Sequence, residues 1–160
     1  VKGLNIPLSY NNAQQTFFDI VPEAVSTTWD FKHIETAARA GIITGLSDGF
    51  FGPDQPLTRE QAAVMIARAL KLKMALNDDK LLTTLTKSFV DSGNMDFYSR
   101  PAIDAVSKAK IMSGSAVTIT GQTKPVYNFN PKGKLTRAEA GKIAVSLLQK
   151  STSIFPKTFN

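Results

Sequence analysis

The sequence contains no cysteine, one histidine and one tryptophan in 160 residues. Without cysteine there are no disulfides, no thiolate nucleophile and no thiolate metal site, although export is compatible with this. A single imidazole, His33, and the lack of clustered carboxylates leave no ligand set for zinc. Asp48-Gly49 lacks the Asp/Asn ladder of a calcium loop, and no motif calls for a cofactor. No apolar run approaches the ~18–20 residues of a membrane-spanning helix. Neither an initiator Met nor a signal peptide precedes Val1, which reads as the start of a fragment or processed form. What is present is ordinary for a globular chain: 42% of residues are apolar, enough for a real core. Nineteen basic residues oppose thirteen acidic ones, a net charge of +6 spread along the chain. That balance favours an acidic partner. Nucleic acid is disfavoured, because neither a Lys/Arg-rich recognition helix nor an aromatic–basic interleaving is found.

The organising stretch is Leu57-Thr58-Arg59-Glu60-Gln61, written a second time as Leu135-Thr136-Arg137-Ala138-Glu139. Thr stands three residues before Gln or Glu in both, the spacing of a capping box. Ala62, Met65, Ile66, Ala69 and Leu70 follow at helical spacing, and Ala140, Ile143, Ala144, Leu147 and Leu148 repeat those offsets. Each copy therefore predicts a capped amphipathic helix. The Arg in its first turn opposes the helix dipole, at roughly 0.3–1 kcal/mol when exposed.

The repeat extends upstream. Phe17-Phe18-Asp19 matches Phe89-Val90-Asp91, Tyr98 takes the place of Trp29, and Ile34, Ala40, Ile42 and Gly45 match Ile103, Ala109, Ile111 and Gly114. Phe51-Gly52-Pro53 matches Phe129-Asn130-Pro131. The offset is 72 at the Asp, 69 through the first helix and 78 at the Thr-Arg helix, so the second copy carries extra length. It falls at 115–125, where Val117, Ile119 and Thr120 hint at a small hairpin near Gly121. The first helix of unit one is expected to bury Ile34, Ala37, Ala38 and Ile42, and to end on a left-handed cap at Gly41. Lys110 replaces that glycine in the second copy, so a different helix end is expected there. Residues 73–87 read as a polar connection with a short helical turn at Leu81, Leu82 and Leu85. The expected organisation is a tail of a truncated preceding module over 1–16, a module over 17–72, a linker over 73–88, a second module over 89–150 and a tail over 151–160. Val1–Leu4 is expected to be helical or packed beside Leu70 and Leu148. Repeats of helix, loop and helix imply stacked modules and an all-α fold, with any strand confined to 115–128.

Gly45-Leu46-Ser47-Asp48-Gly49 fits the G-x-S-x-G pattern of a hydrolase elbow, which requires a buried strand before it and a helix directly after. A helix is expected before and a Gly-Pro loop after, so the segment reads as a turn and the chain as a non-enzyme. Trp29 and Tyr98 have two readings: closure of a core edge, or platforms for the apolar faces of sugar rings. Arg59 and Arg137 also have two. They pair with Asp19 or Asp91 and lock the modules together, or they receive a carboxylate or phosphate beside free helix amides.

Phe-x-Asp, an aromatic about ten residues on, Gly-Ile-Ile-x-Gly, Asp-Gly-x-Phe-x-Pro and Leu-Thr-Arg-Glu together resemble the S-layer homology module. Residues 17–72 match closely, and 89–149 match with the insertion. The resemblance implies tandem modules in a pseudo-threefold helical spindle with a central helix bundle. It further implies anchoring of a surface protein or exoenzyme to the bacterial cell wall, outside the cell and without catalysis. The implied partner is an anionic, pyruvylated secondary cell wall polysaccharide held in inter-module grooves; no nucleic acid and no membrane insertion are implied. Carried over by position, Arg59 and Arg137 meet the ketal carboxylate. Asp19 and Asp91, Trp29 and Tyr98, Gly45 to Ser47, and Gly114-Ser115 complete the ligand-binding set. Assembly into a lattice through the same grooves, including self-assembly through a missing third module, is the alternative.

Overall fold

The computed structural model describes residues 6–22, 30–47, 49–118 and 125–150, with 148–150 in backbone alone. Two compact units divide them, one of the residues up to Gln55 together with those from Leu148 on, and one running from Pro56 to Leu147. Val1–Leu4, Trp29, Ile119, Thr120, Gly121 and the 151–160 tail lie outside the described residues, together with the expectations placed on them.

In the first unit α1 spans Phe31–Arg39, started by Asp30, whose carboxylate accepts the His33 amide. Its buried face is Phe31, Glu35 and Thr36, whereas Ile34, Ala37 and Ala38 are only half-buried. The expected face is therefore rotated, because the chain at 9–16 covers α1 with polar contacts. Glu35 accepts the Thr16 amide at 3.0 Å and its hydroxyl at 2.8 Å, and Thr36 bonds both polar atoms of the Ser9 backbone. A buried carboxylate so partnered reads in sequence as a solvent-facing Glu. Gly41, at φ 69°, ends α1 with the Gly41 amide on Ala38 and the Ile42 amide on Ala37, a Schellman motif. That turn drives Ile42 and Ile43 into the core beside Phe17 and Ile20.

The second unit contains α2 (Arg59–Ala69), α3 (Asp79–Ser88), α4 (Arg100–Lys108), the strands β1 (Ser115–Val117) and β2 (Val126–Asn128), and α5 (Arg137–Lys150) as far as Leu147. Both capping boxes form: Thr58 and Gln61 exchange bonds of 2.9 and 3.3 Å, and Thr136 and Glu139 bonds of 2.9 and 3.2 Å. Buried alanines on α2 (Ala62, Ala63, Ala67) let α4 pack closely with Ala102, Ile103 and Val106. Leu81 and Leu85 bury one side of α3, which is a ten-residue helix capped by Asp78 rather than a single turn. Of the face expected on α5 only Ile143 is buried among the described side chains, while Ala140 and Ala144 are exposed. The end of α4 matches that of α1 despite the sequence change. Lys110 adopts φ 56°, and Lys110 and Ile111 donate to Ser107 and Val106, because burying Ile111 outweighs the left-handed cost of about 1–2 kcal/mol.

The fold is mostly helical rather than purely α: β1 and β2 form an antiparallel pair in the register Ser115–Asn128, Ala116–Tyr127 and Val117–Val126, inside the stretch where strand was expected. Helix still dominates, and the strands stay within 115–128. In the first unit the corresponding place holds one bridge, Ser47 to Phe50. The insertion thus lengthens a turn that both units share.

Candidate functional site

Each unit builds one loop from the same four parts. In the first, Asp19 accepts the amides of Phe51 at 2.9 Å and Gly52 at 2.7 Å. In the second, Asp91 accepts those of Phe129 at 2.9 Å and Asn130 at 2.7 Å. Burial raises the Asp19 pKa, but the two amides outweigh it and hold the carboxyl below its ordinary value. The aromatic of Phe-x-Asp packs on the aromatic that follows the turn: Phe17 on Phe51 and Phe89 on Phe129, both at 5.4 Å between ring centres. Gly45 and Gly114 fit where no side chain could. A Cβ at Gly45 would lie 2.4 Å from the Phe50 carbonyl oxygen, and one at Gly114 would lie 2.8 Å from that of Asn128. Ser47 and Ser115 stand exposed beside these glycines. No strand precedes Ser47 and no helix follows it until Arg59 among the described residues, so the elbow geometry is absent there.

Arg59 opens α2 and is buried, at 8% exposure. Its Nε donates to the Phe129 carbonyl at 2.8 Å, one terminal nitrogen to the Ser113 carbonyl at 3.2 Å, and the other to Glu139 Oε1 at 2.6 Å. The guanidinium also lies 5.1 Å from the centre of the Phe129 ring. Phe129 thereby joins two expected site residues, since its amide is held by Asp91 and its carbonyl by Arg59. The first amides of α2 are likewise covered: Arg59 donates to Gly133 and Glu60 to Pro131. Arg137, at the same position of α5, is exposed, and no hydrogen bond or ion pair holds its guanidinium among the described residues.

Beside the head of α2 lies a second polar cluster. Glu60 is 2% exposed and accepts from the Asp96 amide, the Ser99 hydroxyl at 2.9 Å and Lys132 Nζ at 2.5 Å. Lys132 also pairs with Asp96, and this ammonium is the main cause of the lowered Asp96 pKa. Tyr98 stands at the edge of the cluster, 53% exposed, its hydroxyl pKa raised by burial and then by the charges of Glu60 and Asp96. Arg59, Asp91, Tyr98, Gly114, Ser115 and Arg137 belong to the second unit, and Asp19, Gly45 and Ser47 to the first. Sequence reasoning missed Glu60, Lys132 and Glu139 as members of these clusters. The Glu in the Thr-Arg-Glu motif was the one available signal, because a carboxylate beside a buried face demands partners.

The S-layer homology domain family matches residues 24–63, which include the first Thr-Arg motif. An endoglucanase of Bacillus sp. (strain KSM-635) is 33% identical over 125 residues, 78% of this chain and 12% of that protein. The exoglucanase XynX of Acetivibrio thermocellus is 31% identical over 127 residues, 79% of this chain and 10% of that protein. An S-layer protein of Bacillus thuringiensis subsp. finitimus is 30% identical over 133 residues, 83% of this chain and 14% of that protein. The chain thus spans only a small part of the curated relatives it matches, and what it shares with glucanases and S-layer proteins alike is the module described above. Residues 24–63 are an S-layer homology domain, and through them the chain belongs to that family.

Proposed function

We propose that this chain anchors a bacterial surface protein, either an S-layer protein or an exoenzyme, to the cell wall by binding an anionic secondary cell wall polysaccharide. The family is a binding module that works outside the cell at the wall. No helix among the described residues is long and apolar enough to cross a membrane. The observation that carries the reading is the exposed guanidinium of Arg137 beside the first-turn amides of α5, on a chain of net charge +6. A carboxylate meeting that head gains a charge-assisted fork and the positive end of the helix.

The finer proposal is a pyruvylated polymer, whose ketal carboxylate binds Arg137 directly. At Arg59 it would replace Glu139, whose side chain is 39% exposed and whose other oxygen remains held by Thr136. Asp19, Asp91, Gly45 and Gly114 would act by shaping the loops, with Ser47, Ser115, Tyr98 and Trp29 supplying hydroxyls and ring faces. Arrangement of the modules as part of a pseudo-threefold spindle belongs to the same proposal. Exposed Ala140, Ala144 and Val145 on α5 favour a second reading, self-assembly with a further module.

Retention on purified cell wall sacculi, before and after extraction of the polymer, tests the anchoring. Retention is expected to vanish with the polymer, and Arg137→Ala is expected to weaken binding at least about tenfold, as loss of a charge-assisted bond implies, with an unchanged melting temperature. Retention that survives extraction overturns the polysaccharide reading and favours the lattice.

A further inference from the structure

The second unit holds an opening of about 610 Å³ between the end of α3, the end of α4 and the β1–β2 hairpin, bordered by Gly114 and by Ser113, whose carbonyl Arg59 holds. Its walls include Thr86, Lys87, Val90, Ser107 and Tyr127. Among the described residues that line it none is acidic, and Lys87 is the one charged side chain. The Ser107 hydroxyl is enclosed in the wall without a hydrogen-bond partner, and two features make the opening more than a crease. Tyr127, on the opposite strand, is 42% exposed and lines the opening. Comparison with the first unit shows how the space arises. There the residue equivalent to Val90 is Phe18, and its ring lies against Gly49, which is equivalent to Tyr127, and packs on Phe50 at 5.8 Å. In the second unit Val replaces the ring and the insertion lengthens the hairpin that carries Tyr127.

We infer that this opening is a second glycan subsite, beside the Arg59 joint and opened by Val90 and the longer hairpin, that takes a segment of about two pyranose rings of the anchoring polymer without needing a carboxylate on it. The volume falls within the range of small-ligand sites. Hydroxyls and an ammonium suit sugar hydroxyls, and the Tyr127 face suits the apolar side of a pyranose ring. The subsite rests on the polysaccharide reading, yet it differs from the arginine site in needing no carboxylate on the polymer.

Titration calorimetry with purified cell wall polymer, native and stripped of its ketals by mild acid, separates the two sites. Tyr127→Ala is expected to weaken binding about tenfold to both polymers, and Arg137→Ala only to the native one. Ser107→Leu, which fills the wall without removing any hydrogen bond, is expected to reproduce the Tyr127→Ala loss while the melting temperature stays close to that of the parent. Unchanged affinity of both variants for both polymers overturns the subsite and leaves anchoring intact. A parent chain that binds neither polymer overturns the anchoring reading, and the subsite with it.

Discussion

Arg59 and Arg137 occupy the same position of the same motif, and the protein treats them in opposite ways. Arg59 is enclosed by two carbonyls, a carboxylate and an aromatic face, with the amides behind it covered by Pro131 and Gly133. Arg137 stands in solvent at the head of α5. Every partner of Arg59 comes from the repeat that follows it, so the motif is half of a joint whose other half is a second copy. A cation in the first turn of a helix is a mild liability by itself. It becomes an asset when the next repeat supplies Glu139 and two carbonyl oxygens. Of the expected alternatives, the lock is what Arg59 forms, while Arg137 is left exposed for the receptor role proposed above. The lock uses Glu139, with Asp91 acting through Phe129, rather than a direct Asp–Arg pair.

The largest expected effect separates the two arginines by stability. Arg59→Ala removes a buried cation from a half-exposed pair and strands two carbonyls, so unfolding in denaturant is expected to show a loss of about 3 kcal/mol, mostly from the carbonyls. Arg137→Ala is expected to stay within about 0.5 kcal/mol of the parent. Equal losses in the two variants would erase the distinction.

Next in size are the two loop latches. Asp19→Ala and Asp91→Ala each free two amides, and a loss of about 2 kcal/mol is expected from each by thermal unfolding. Asp91→Ala should also weaken the Arg59 joint, because Phe129 carries both bonds. A double-mutant cycle of Asp91→Ala with Arg59→Ala is therefore expected to be non-additive, and Asp19→Ala with Arg59→Ala serves as its reference.

The helix ends sharpen the comparison further. Lys110→Gly is expected to raise stability by up to about 1 kcal/mol, and Gly41→Ala to lower it by a similar amount, since both positions are left-handed. Differential scanning calorimetry would read both, and a destabilised Lys110→Gly would show that the lysine side chain matters more than its backbone.

The smallest effect is a pH dependence. The Thr136 amide holds the Glu139 carboxyl below its ordinary value against burial, helped by the Thr136 hydroxyl and by Arg59. A carboxyl lowered on folding contributes stability above its unfolded pKa of about 4.3 and loses it as pH falls through the folded value. Stability is thus expected to decline with acid below about pH 4.3, and the decline should be shallower in Arg59→Ala. Parallel slopes in the two proteins would uncouple Glu139 from Arg59.

Local order was legible from residue spacing alone. Thr three residues before Gln or Glu determines both capping boxes, and the doubled Phe-x-Asp, glycine and Thr-Arg motifs determine that two copies of one loop exist, because such signals depend on neighbours within a turn or two. Three things were decided only in three dimensions. The buried face of α1 follows Glu35 and Thr36, whose partners Thr16 and Ser9 are 19 and 27 residues away. Lys110 accepts the conformation of a glycine because Ile111 beyond it is buried. The difference between Arg59 and Arg137 lies in carbonyls and a carboxylate 54 to 80 residues distant. A sequence motif specifies what a guanidinium can bind, whereas only packing specifies whether the protein itself has already bound it.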